Sequence, residues 1–104
     1  MNYLINTLPA TPFHYTLKLQ LARSATSVAL NYDEALGAAL MKDFIHKLSI
    51  VLKELKETKI CLNLLLKSTR SDLGERIQNL YNEADESASI IYSSIRTSKN
   101  KLGK

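Results

Sequence analysis

A chain of 104 residues, 45 % apolar and 23 % charged, is sized for one domain, and this ordinary balance excludes a disordered polypeptide. Cys61 is the only cysteine, which rules out an intramolecular disulfide and fits a reducing cytoplasm. No apolar run approaches the roughly 18 residues a membrane span needs, and MNYLINTLPATP has neither the basic start nor the apolar stretch of a secretory leader. The net charge is +4 and is carried by the end of the chain: Arg96, Lys99, Lys101 and Lys104 stand without an acid among them.

Both prolines, Pro9 and Pro12, lie near the start, and a chain almost free of breakers beyond them favours helices. Residues 1–8, MNYLINTL, are long enough for a helical stub of about two turns before the prolines. A second helix is expected over 15–36, where Leu17, Leu21, Ala25, Val28 and Tyr32 recur at three- and four-residue spacing. Gly37 is placed to end it in a left-handed conformation. A third helix is expected over 42–67. Its stripe of Phe44, Leu48, Val51, Leu55, Thr58, Leu62 and Leu65 alternates steps of four and three. Asp72 and Glu75 have capping-box spacing ahead of a fourth helix over 72–98, followed by a basic tail over 99–104. In this last helix Leu73, Ile77, Leu80, Ala84, Ser87, Ile91, Ser94 and Ser98 repeat the spacing. The expected architecture is all-α, an up-and-down antiparallel four-helix bundle with a short first helix.

One stretch resists that pattern. Residues 23–35, RSATSVALNYDEA, hold an arginine, an asparagine, two carboxylates and several hydroxyls among small residues. Folding the second and third helices into an antiparallel hairpin brings Arg23 within reach of Glu54 and, one turn on, Thr58. The same register sets Asn31 and Glu34 near Lys47. The expectation is a polar cluster of Arg23, Asn31, Glu34, Lys47, Glu54 and Glu57 along a close-packed seam. Buried polar groups must be hydrogen-bonded, and an arginine facing carboxylates satisfies several donors at once.

Three motifs in order carry a resemblance: Arg23-Ser24-x-x-Ser27-Val28-x-x-Asn31-Tyr32-x-Glu34-Ala35, then Asp43-Phe44-Ile45-x-Lys47-Leu48, then Lys53-Glu54-x-x-Glu57-Thr58. In these, and over residues 8–99, the chain resembles the bacterial four-helix bundle proteins encoded in intervening sequences of 23S ribosomal RNA genes. The resemblance implies a four-helix bundle that assembles as a homopentamer. A related branch serves as accessory proteins of diversity-generating retroelements, where a basic pentamer engages a reverse transcriptase and nucleic acid. Two departures stand out: only MNYLINTL precedes the Leu-Pro turn where relatives have a long helix, and Leu40 occupies the place of a capping serine.

Catalytic and metal motifs are not found. There is no glycine-rich phosphate loop, CxxC or HExxH, and neither His14 nor His46 has ligands at standard spacing beyond Asp43, one turn from His46. Glu34, Glu54 and Glu57 lack the Glu-x-x-His partners of di-iron bundles. Cys61 reads as packing. No enzyme, cofactor or metal site is expected. The function expected is a non-enzymatic homo-oligomeric scaffold, pentameric by resemblance, with Phe44, Leu48, Leu55, Leu62, Leu80 and Ile91 as core or interface. The alternative is an accessory protein for RNA or another nucleic acid, working alone or with a protein partner. Its contacts would be Arg96, Lys99, Lys101 and Lys104, helped by Lys53, Lys56 and Lys59, without aromatics interleaved in sequence for base stacking.

Overall fold

The computed structural model describes residues 11–68 and 73–103, and these form three helices and no strand: α1 Pro12–Leu36, α2 Met41–Ser68 and α3 Leu73–Leu102. The all-α reading holds, but the described chain is a three-helix arrangement and not a four-helix bundle. The helix expected over 1–8 and the capping aspartate Asp72 lie outside the described residues. α2 packs along both neighbours, whereas α1 and α3 hardly touch each other. The result is a rod of 51 × 19 × 18 Å.

Local chemistry sets the helix ends. α1 starts at Pro12, three residues before the expected Tyr15. Thr11 is its N-cap, accepting from the His14 backbone N–H at 3.1 Å, and Pro12 fills the first turn, where a missing N–H costs nothing. The proline therefore begins this helix. Gly37 ends it at φ −88°, not in the expected left-handed region, and its N–H reaches the Asp33 carbonyl at 3.2 Å. α2 has no side-chain cap at its start: the Leu40 carbonyl takes the Asp43 and Phe44 N–H groups at 3.1 Å, and Asp43 sets a negative charge in the first turn. α3 continues to Leu102, so most of the expected basic tail is helix; a lysine-bearing last turn complements the helix dipole.

The interior divides into two apolar clusters. One joins Leu17, Leu21, Leu62, Leu65, Leu73 and Ile77 around Cys61. The other joins Ile45, Leu48, Val51, Leu55, Ile91 and Ile95 with Ala35, Ala84 and Ala88. The expected stripes supply most of these, with corrections at the edges. Phe44 and Leu80 are only partly buried, Ser87 is exposed, and the α3 seam drifts to Ala88 and Ile95, as a 3.6-residue helix must against a seven-residue repeat. On α1, Ser24 is fully buried while Ala25 is half-buried and Tyr32 exposed.

Candidate functional site

Between the two apolar clusters lies a polar belt: Ser24 from α1, with Glu54 and Thr58 from α2, all buried. The hydroxyls satisfy themselves inside their own helices. Ser24 Oγ donates to the Gln20 carbonyl and Thr58 Oγ1 to the Glu54 carbonyl, both at 2.9 Å. Glu54 is served from the rim, where Arg23 Nη1 donates to its Oε2 at 3.4 Å and Arg23 Nη2 donates to Glu57 Oε2 at 2.7 Å. The small residues of the 23–35 stretch thus bring α1 close enough for one arginine to bridge two carboxylates of α2. The hydrogen bond from Arg23 holds the Glu57 carboxyl below its ordinary range, and Glu57 in turn raises the guanidinium.

The six residues expected in one cluster fall into separate groups. Arg23, Glu54 and Glu57 form the first. Glu34 and Lys47 form a second ion pair nearer the α1–α2 turn. Asn31 joins neither: its amide donates to the Ser27 carbonyl at 2.9 Å and the Ser27 hydroxyl at 3.1 Å. The expectation is a buried or half-buried cluster, and its members range from the buried Glu54 to Arg23 and Glu34, whose side chains are 52 % and 55 % exposed. An arginine stem on a helix surface keeps its head in water while pairing inward. Water enters this rim, so its ion pairs hold geometry more than they add stability.

His14 is buried and tied from both ring nitrogens, Nδ1 to Thr11 Oγ1 at 2.6 Å and Nε2 to Ser68 Oγ at 3.3 Å, linking the start of α1 to the end of α2. Cys61 is buried, and desolvation pushes its thiol up, towards the unreactive protonated form. Among the described residues no three His, Cys, Asp or Glu side chains gather as metal ligands, and no helix is long and apolar enough to cross a membrane.

Several grooves mark the surface of the described residues. The first, about 300 Å³, opens between α1 and α3 over α2 and is lined mainly by Val28, Tyr32, Val51, Leu55, Ile90 and Ile91. Two more follow the α2–α3 seam. One, about 440 Å³, is bordered by Leu52, Lys53, Lys56, Tyr92, Ile95 and Lys99; the other, about 360 Å³, by Lys56, Lys59, Ile60, Asn63 and Tyr81. Lys59 pairs with Asp85 at 2.7 Å and lies 5.5 Å from the Tyr81 ring centre. Tyr81 and Tyr92 thus stand beside these lysines in space. They are remote in sequence from 53–60 and arrive only through the α2–α3 register, in which paired residue numbers such as 59 and 85 sum to about 144.

The C-terminal charges do not act as one arm. Arg96 and Lys99 follow Tyr92 by four and seven residues and share its helix face, whereas Lys101 lies on the far side of α3, in a recess with Met41, Phe44 and Ile90. Lys104 lies outside the described residues.

Comparison with curated proteins and with solved structures returns no match. The sequence model of one family, described as 23S rRNA-intervening sequence protein, matches residues 2–93, nearly the whole chain. With its three motifs in order and its all-helical fold, the chain belongs to the 23S rRNA-intervening sequence protein family.

Proposed function

We propose that this protein is a non-enzymatic scaffold that works as a homo-oligomer, the homopentamer of the sequence resemblance, in which a further copy covers the open corner between α1 and α3. The observation that carries this reading is the apolar groove over Val51 and Leu55. Exposed Leu30, Leu36, Leu40 and Ile90 on the flanking segments add to it. Apolar surface of that extent on a short domain is stabilised by association. Leu40, which gives α2 no side-chain cap, contributes a side chain that packs against a neighbour. The Arg23–Glu54–Glu57 belt fixes the register of α1 on α2: a slip would move a carboxylate into an apolar cluster. Multi-angle light scattering across a hundredfold dilution tests the reading. A stable multiple of the 11.7 kDa chain supports it, and a monomer at every concentration removes it.

A second reading, an accessory protein that binds RNA or another nucleic acid, draws on Arg96 and Lys99 being held on one face of a helix that runs to Leu102, with Lys101 on its far side taking no part. Copies displayed on an oligomer gain from multivalency. A gel-shift titration with structured RNA at low and high salt tests it; binding that weakens with salt supports it, and no binding at low salt removes it.

A further inference from the structure

We infer that the α2–α3 seam is a track for single-stranded nucleic acid, with Tyr92 as a base-stacking platform and Lys53, Lys56, Arg96 and Lys99 as phosphate contacts. This rests on the nucleic-acid reading above and gives it a place on the molecule. The two seam grooves share Lys56 and Ile60 on their borders, so they lie next to each other along the seam. From Ser49 to Asn63 they follow α2 for about 20 Å at 1.5 Å per residue. Every acid on their border is already engaged: Glu57 by Arg23 at 2.7 Å and Asp85 by Lys59 at 2.7 Å. Lys53, Lys56, Arg96 and Lys99 make no ion pair among the described residues. Arg23 is shared between Glu54 and Glu57, so the track keeps an excess of about three positive charges, suited to a polyanion.

An acidic peptide would satisfy the charges but not the rings. Tyr92 is 56 % exposed beside Lys53 and Lys99, and Tyr81 stands at the other groove with Lys59 near its face. Tyr81 is half-buried against the core, so the exposed ring is that of Tyr92, and an exposed ring beside a cationic groove suits bases free to stack, which a duplex keeps inside itself. The track also lies apart from the proposed self-association groove. Ile90 borders that groove and Tyr92 borders this one, and two residues along a helix is about 200° around it.

The test is fluorescence anisotropy with labelled single strands of about 20 nucleotides, one oligouridylate and one oligothymidylate, at about 50 and 200 mM salt. Four phosphate contacts predict about a 50-fold loss of affinity between those salts. Tyr92→Ala is expected to weaken binding about tenfold while Tyr92→Phe keeps it. Lys53→Gln and Lys99→Gln each flatten the logarithmic salt slope by about 0.7, and Lys101→Gln, on the opposite face, leaves it unchanged. A preference between the two strands separates RNA from DNA as the source of the shared chemistry. Failure of both strands to bind at low salt overturns the nucleic-acid reading together with the track. Binding that ignores Tyr92→Ala, or that falls equally with Lys101→Gln, overturns the track alone. So does equal affinity for a duplex or for polyglutamate. A Tyr92→Ala protein with altered oligomer mass also overturns it, since the seam is then a subunit contact.

Discussion

Ile90 is the most direct lever on self-association. It is 66 % exposed and borders both the groove between α1 and α3 and the neighbouring recess beside Phe44. Complete burial of an isoleucine side chain is worth about 1.5–3 kcal/mol, so covering the exposed two-thirds contributes about 1–2 kcal/mol per contact. At 1.4 kcal/mol per decade, Ile90→Lys lowers the association constant about 5- to 30-fold for each contact, and further where the ammonium loses water. The fold itself is spared, because the side chain already faces solvent and lysine suits a helix as well as isoleucine does. Sedimentation velocity over a dilution series reads the assembly, and circular dichroism confirms retained helix. A variant with the parent's mass at every dilution refutes the assignment of this corner to a neighbouring copy.

Gly37→Ala is expected to leave stability unchanged or raise it by up to about 1 kcal/mol in urea denaturation, because φ is −88° and an added Cβ meets only the Asp33 and Glu34 carbonyls at 3.8 Å. Arg23→Ala is expected to lower the melting temperature near neutral pH. Glu57 is held below its ordinary range in the folded protein, so its contribution is present above the unfolded glutamate pKa and is lost as pH falls through the folded value. The gap between parent and variant melting temperatures should therefore close in acid; a gap that persists there contradicts the pairing. Cys61 should resist a thiol reagent in the native protein and react fully in denaturant, since burial keeps it protonated and enclosed. Rapid native labelling would contradict that placement.

The helices were legible because burial repeats with a helical period: Leu48, Val51, Leu55, Leu62 and Leu65 face inward where their spacing puts them. Arg23 was legible as a partner of Glu54 because a short turn fixes the α1–α2 register within about one turn of helix. Asn31 was not, since an amide can bond to the carbonyl four residues back as readily as across a seam. Gly37 misled because glycine permits a left-handed cap without requiring one. Pro12 looks like a break in the sequence because a proline interrupts a helix interior, whereas at the first turn its missing N–H costs nothing. Tyr92 escaped notice because its meaning depends on the α2–α3 register, which periodicity within one helix does not contain.

Since α2 touches both outer helices and they scarcely touch each other, nearly every tertiary contact among the described residues joins elements adjacent in the chain. Little loop entropy is spent in closing either hairpin, and such low contact order places folding in the microsecond-to-millisecond range. A destabilising change in α2 weakens both hairpins together, whereas one confined to the outer face of α1 leaves the α2–α3 pair to form at its own pace.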